Sequence, residues 1–353
     1  MKAAIWYGRR DLRVEEVPEP PFPPPGQVKV EVAWCGICGS DLHEYVAGPL
    51  KIPVDTPHPL TGVQAPVILG HELSGRVVET GEGITRFKMG DRVALATLIG
   101  CQECRWCRSG LMGLCKNLAF LGKSWSGGGF SRYVNVPEYL CYPLPDELPD
   151  EIGAMVEPFA AAVRAVSQGE LQQGETVAIV GAGPIGLLNV QAARILGAGK
   201  VIVLEPAGNR QELAFRCGAD QVLDPFQDDP EEAFLELTDG QKADLVIECV
   251  GGTDTVLIAG RLARTRGRVV IMGVFEQPSR LDFTDLVFGE KTLIGSMGGY
   301  GKFSQAIEMM ASGEFIGQPL ITGRIPLTEI VSKGFEALLN DRESHIKVLV
   351  ASE

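Results

Sequence analysis

An apolar run, Thr176–Val180, passes without a break into Gly181-Ala182-Gly183-Pro184-Ile185-Gly186, and residues 185–196 beyond it carry a helical pattern. A strand that turns through glycines straight into a helix constrains the fold of this chain more than any other feature. The turn is tight, and its glycines admit a pyrophosphate onto the helix N-terminus. The pairing recurs: Lys200–Leu204 precedes a helical pattern at 211–217, residues 243–247 precede one at 255–263, and a further apolar run spans 268–272. Strands alternating with helices in this way predict an α/β fold built on a doubly wound parallel sheet.

The second of these strands runs into Glu205, about twenty residues past the glycines, where an acid can hydrogen-bond the adenosine ribose hydroxyls. A carboxylate there repels a 2′-phosphate, so NAD is expected rather than NADP. Gly181, Gly183, Pro184, Ile185, Gly186 and Glu205 are therefore candidate cofactor residues. Arg210 has two open readings, packing on the adenine or a solvated helix position.

The region before residue 150 has a different texture. It is rich in Val, Gly and Pro, with alternating stretches at 27–33 and 74–79 between turn signals, and reads as mostly β. At about 150 residues per domain, 353 residues predict two domains. Residues 18–26 form a proline-rich connector, and no internal repeat is present. Past the glycine motif, 291–296 and 346–350 look strand-like and Phe303–Ala311 helical. Hydrophobic content of 45% and no long apolar run exclude a membrane-spanning chain. The opening Met-Lys-Ala-Ala-Ile-Trp-Tyr enters a strand-like stretch without the features of a secretory leader, so a cytoplasmic location is expected. A net charge of −13 without a basic cluster opposes binding to nucleic acid.

Cys101, Cys104, Cys107 and Cys115 follow Cys-x2-Cys-x2-Cys-x7-Cys, the ligand set of a tetrahedral zinc site. Four thiolates leave no position free, so such a site staples a loop and performs no chemistry; apparent binding energies of about 10–16 kcal/mol make it a folding element. Two disulfides are the alternative, but they need an oxidising compartment and would close very small, strained loops. Cys35, Cys141, Cys217 and Cys249 lie in or beside apolar stretches and read as small buried hydrophobes.

A second, open metal site has candidate ligands in Gly36-Ile37-Cys38-Gly39-Ser40-Asp41-Leu42-His43, Gly70-His71-Glu72 and Val156-Glu157-Pro158. A catalytic zinc takes about three protein ligands and keeps one position free. From spacing alone, Gly-His-Glu reads more readily as a satisfied polar pair in a β domain. These motifs, the four-cysteine lobe and the glycine motif occur in an order that resembles the zinc-dependent medium-chain alcohol and polyol dehydrogenases over essentially the whole chain. Within that family the chain is most similar to the butanediol and sorbitol dehydrogenase branch, because Glu157 stands where simple alcohol dehydrogenases carry cysteine. The proline-rich insertion 52–66 points toward 2,3-butanediol dehydrogenases.

The resemblance implies a GroES-like, mostly β catalytic domain at 1–154 with a structural zinc lobe at 100–116, a Rossmann domain at 155–295, and a return to the first domain at 296–353. It implies two zinc ions per chain, one structural and one catalytic, the latter held by Cys38, His71 and Glu157. Glu72 is an alternative ligand or an outer carboxylate, a partner that metal-bound histidines usually have. Ser40 matches the family's proton-relay position, and His43 the imidazole that passes the proton on; a turn cap and a surface residue are their plain alternatives. The implied reaction is reversible hydride transfer from a secondary alcohol of a vicinal diol or polyol to NAD, with (R,R)-2,3-butanediol and its hydroxyketone acetoin as the leading pair. Sorbitol, xylitol or threonine on the same machinery is the near alternative, and a non-enzymatic dinucleotide-binding protein the distant one. Pairing through strand 291–296 into a homodimer or homotetramer is expected. His58 and His345 read as exposed imidazoles, and Met309-Met310 as core or interface.

Overall fold

A computed structural model describes residues 1–227, 229–341 and 343–352. The chain divides into two compact units: Met1–Glu157 with Ala306–Ala311 and Ile321–Glu353, and Pro158–Gln305 with Ser312–Leu320.

The second unit is built on six parallel strands in the order Gln221–Leu223, Lys200–Leu204, Thr176–Val180, Ala243–Glu248, Ala263–Ile271, Thr292–Gly295. Val177, Ala178, Ile179, Val201, Ile202, Val203, Leu245, Val246 and Ile247 are all buried. Strands covered on both faces read as continuous apolar runs, which is why this sheet is legible as strand–helix pairs. The order reverses between Thr176–Val180 and Ala243–Glu248, the switch point at which doubly wound sheets open a ligand crevice. The helix Pro184–Ile195 starts there, with proline in the first turn, where its missing N–H costs nothing.

In the first unit, a mixed sheet runs Cys141–Pro143, Arg92–Leu95, Glu72–Thr80, Gln27–Gly36, Lys347–Ala351, Ile321–Pro326, with Tyr133–Pro137 also paired to Gln27–Gly36. Its core gathers Trp6, Val28, Val30, Leu69, Leu73, Phe130, Phe335 and Val348. The register brings remote segments together. Gly36 pairs with Glu72 on one side and with Leu349 on the other, so the Cys38 turn, His71 and Lys347 converge at one end of the sheet. Only glycine fits at position 36, because a Cβ there would strike the Glu72 carboxylate.

The structure departs from the sequence reading in one helix and three side chains. A 13-residue helix, Val156–Gln168, which the motifs do not anticipate, carries Glu157 in its first turn. His58 and His345 are half-buried rather than exposed, the Nε2 of His58 lying 3.2 Å from the Leu118 carbonyl, and Cys249 is half-buried rather than buried. Met309 and Met310 are buried, as are Cys35, Cys141 and Cys217. Among the described residues no helix is long and apolar enough to cross a membrane.

Candidate functional site

Three candidate sites can each be built from their residues. In the lobe, Cys104 caps a one-turn helix, Arg105–Arg108, which carries Cys107. The Cys104 N–H points at Cys101 Sγ and the Cys101 N–H at Cys115 Sγ, both at 3.4 Å. The four sulfurs lie within 4.8 Å of one another, and none of the nine cysteines forms a disulfide. Tetrahedral zinc with Zn–S bonds of about 2.3 Å sets its sulfurs about 3.8 Å apart, so the quartet is the right size. Backbone N–H groups bring the Cys104 thiol down to about 6, whereas burial pushes Cys107 up to about 12. Backbone N–H groups lower Cys101 too, so two of the four sulfurs already favour the thiolate that a cation takes up.

The second group lies at the sheet end described above. Cys38 is the N-cap of the helix Gly39–Ala47, and its N–H donates to Asp41 Oδ2 at 3.1 Å. The other oxygen of Asp41 lies 3.2 Å from His71 Nδ1 and Ser40 Oγ lies 3.4 Å from Nε2, with the Cys38 sulfur close enough to act on the imidazole. Glu72 turns away from the imidazole: its Oε2 accepts from Lys347 Nζ at 2.6 Å, and Lys347 also donates to the Ile37 carbonyl at 3.1 Å. Glu157 accepts from Thr97 Oγ1 at 3.1 Å and lies within the electrostatic reach of His71 and Glu72. Cys38, His71 and Glu157 do not converge as tightly as the thiol quartet, the one group among the described residues with all its ligand atoms within 4.8 Å.

Electrostatics shows what this pocket wants. Burial raises Asp41, but His71 and then Lys123 outweigh it and hold the carboxyl below its usual range. Burial lowers His71, yet Asp41 and the Cys38 sulfur hold the imidazole well above its usual value. Burial, with Glu72 adding to it, raises Glu157. Four acidic groups, Cys38, Asp41, Glu72 and Glu157, face two lysines, Lys123 and Lys347. Sulfur, imidazole and carboxylate are the donors that zinc takes, so the residues fit a metal by the chemistry of the donor set. Asp41 stands against His71 Nδ1, where a carboxylate orients an imidazole. The sequence reading missed it, although it stands inside the quoted motif three residues after Cys38. His43, half-buried, lies on the same helix as Ser40, three residues on.

The third group is the glycine turn of the second unit. Gly181 has φ +94° and Val250 against it, and a Cβ on Gly186 would strike the Gly181 carbonyl; Gly183 has nothing within 4 Å. Two glycines thus build the turn, and the third leaves room for a phosphate to approach the backbone. Glu205 accepts from the Ala182 N–H at 2.7 Å and from the Ala207 N–H at 3.0 Å, which fixes a buried carboxylate beside that turn. Pro184 and Ile185 open the helix behind it, and Arg210 is half-buried at the start of Gly208–Arg216.

Comparison with known proteins agrees with this geometry. The family described as alcohol dehydrogenase GroES-like domain matches residues 24–146, and that described as zinc-binding dehydrogenase matches residues 184–312. The chain is 40% identical to the (R,R)-butanediol dehydrogenase of Bacillus subtilis over 99% of both chains. It is 34% identical to the (R,R)-butanediol dehydrogenase of Neisseria gonorrhoeae, again over 99% of each. The crystal structure of 2R,3R-butanediol dehydrogenase from Bacillus subtilis superposes with a TM-score of 0.94 at 40% identity, covering 100% of this chain and 99% of that one.

Proposed function

This chain belongs to the zinc-dependent medium-chain alcohol dehydrogenase family, and from that premise we propose that it interconverts (R,R)-2,3-butanediol and acetoin, using NAD and two zinc ions per chain. The observation that carries this reading is the grouping, at one end of the sheet, of the Cys38 helix cap, His71 with Asp41 against its Nδ1, and the Ser40 hydroxyl facing its Nε2, with Glu157 in electrostatic reach of His71. Relatives that share the sequence from end to end are named for that diol.

Cys38, His71 and Glu157 would hold the catalytic ion, and Cys101, Cys104, Cys107 and Cys115 the structural one. Glu157 is preferred to Glu72 as third protein ligand because Glu72 already neutralises Lys347. Bound in the pocket, zinc supplies a Lewis acid that makes an alcohol acidic enough to ionise near neutral pH, and NAD supplies the hydride acceptor. Asp41 keeps the proton on His71 Nδ1 and so leaves the Nε2 lone pair available. Ser40, beside that nitrogen, takes up the proton the alcohol loses. His43, on the same helical face, passes it onward. Glu205 receives the adenosine ribose hydroxyls on a carboxylate whose two backbone partners leave further lone pairs for them, and it repels a 2′-phosphate. The oligomer expected from the sequence is supported by the unpaired edge of Thr292–Gly295 and by exposed Phe283, Val287 and Phe288 beside it.

Initial rates with the 2,3-butanediol stereoisomers, sorbitol, L-threonine and 2-butanol, each with NAD and NADP, test the proposal. The highest kcat/KM is expected for the (R,R)-diol with NAD; a higher value for sorbitol or threonine, or with NADP, contradicts it.

Stripping the metal gives a second expected outcome. Both His71 and Glu157 have folded-state pKa values above their unfolded ones in the metal-free pocket. Protonated His71 contributes stability that is complete below its unfolded pKa of about 6.5 and is lost as pH rises through its higher folded-state value; Glu157, raised by burial, costs stability as pH climbs from about 4.3 through its own folded-state value. The melting temperature of chelator-treated protein should therefore fall further below that of zinc-loaded protein as pH rises from about 5 to 8. A gap that is constant or narrows over that range would contradict the assignment.

A further inference from the structure

Lys123 is 5% exposed, and its Nζ donates to Ser40 Oγ at 2.7 Å. An ammonium carries three N–H donors. Among the described residues Ser40 is its one hydrogen-bond acceptor, and no carboxylate lies within ion-pairing distance of it. Asp41 acts on it only through space. A buried cation that is compensated at a distance while two of its donors remain unused is costly unless something else supplies an acceptor.

The segment that carries it is built to hold position. Thr61 Oγ1 donates to the Ser124 carbonyl at 2.7 Å, and His58 Nε2 lies 3.2 Å from the Leu118 carbonyl, so the proline-rich insertion grips the chain on both sides of Lys123. Within the segment the Phe120 N–H donates to Ser124 Oγ at 2.9 Å. The ammonium is thus fixed next to the hydroxyl that meets the reacting alcohol.

We propose that Lys123 determines substrate class by donating its unused N–H bonds to the oxygen on the carbon adjacent to the one oxidised: the second hydroxyl of a vicinal diol, or the second oxygen of a hydroxyketone. The two oxygens of a gauche vicinal diol are about as far apart as a hydrogen bond is long. An alcohol oxygen at Ser40 therefore brings its neighbour within reach of an ammonium hydrogen-bonded to the same serine. A neutral oxygen accepts these bonds without adding a charge beside the Asp41 side chain. The inference rests on the diol reading above and adds the residue that enforces it.

The test is the ratio of kcat/KM for (R,R)-2,3-butanediol to that for 2-butanol, in the wild type, Lys123→Met and Lys123→Gln. Loss of a charged donor should lower this ratio about 10- to 100-fold in Lys123→Met, with partial recovery in Lys123→Gln, which keeps a neutral donor. Calorimetric titration of the diol into the enzyme–NADH complex should show a matching loss of affinity. A ratio equal to wild type in both variants overturns the proposal, whether the two rates fall together, as they would if the lysine served only Ser40, or neither falls. Should Lys123→Met fail to fold, as circular dichroism and NADH binding would show, Lys123→Gln decides by the same ratio. A wild type that prefers (R)-lactate to the diol would assign the ammonium to a carboxylate and also overturn it. Failure of the diol reading is separate: it appears in the wild-type panel before any variant is made.

Discussion

Replacing Cys38 by serine should lower kcat/KM about 1,000- to 10,000-fold, the several kcal/mol that a Lewis acid contributes to a developing alkoxide. The substitution is mild for everything else. Position 38 is a helix N-cap, where serine is among the favoured residues, so the helix Gly39–Ala47 and the Asp41 bond to the residue 38 N–H survive. The glycine turn and Glu205 belong to the other unit and use none of these atoms. The variant should therefore keep its circular dichroism spectrum and its affinity for NADH while losing turnover. Turnover within tenfold of wild type would remove Cys38 from the metal site.

Lys347→Met should destabilise the first unit by about 3–5 kcal/mol, because it leaves Glu72 buried without its partner. Both side chains are nearly sealed from solvent, at 3% and 1% exposure, and their 2.6 Å contact joins segments from opposite ends of the chain. Lys347 is also raised above its usual pKa: burial works against its charge, but Glu72, Cys38 and Glu157 more than reverse this. Removing the cation leaves three acidic groups without their local counter-charge. The double variant Glu72→Leu/Lys347→Met removes charge and partner together and should recover most of the loss, as replacement of buried pairs by apolar residues often does. Urea unfolding of the three proteins reads both effects; a single variant as stable as wild type would mean that the pair is not the clamp described here.

What the sequence could reveal depended on how far each relationship reached along the chain. The nucleotide sheet was legible because its strands are buried on both faces and each is followed by its own helix, so every signal lies within about 30 residues. The helix read at 185–196 spans Pro184–Ile195. The thiol quartet was legible for the same reason, all four ligands lying within one short loop. The catalytic group was not legible from spacing. Gly-His-Glu is uninformative until the register of Gly36 against Glu72 sets Cys38 beside His71, and only family resemblance supplied that juxtaposition. Asp41 could have been found, as an acid at the third position of a helix whose cap is a candidate ligand. Lys123 and Lys347 could not, since they meet their partners 83 and 275 positions away, and no local pattern marks a lysine that will be buried. The resemblance suggested two roles for Glu72; the structure shows it paired with Lys347 and places Asp41 against the imidazole.

A second metal, distinct from the one suited to the thiol quartet, would sit on Cys38, His71 and Glu157. Elemental analysis of purified, fully active protein tests it most directly. Two zinc ions per chain are expected in the wild type and one in Cys38→Ser. One zinc per chain in fully active wild type, with no further loss in Cys38→Ser, would contradict it.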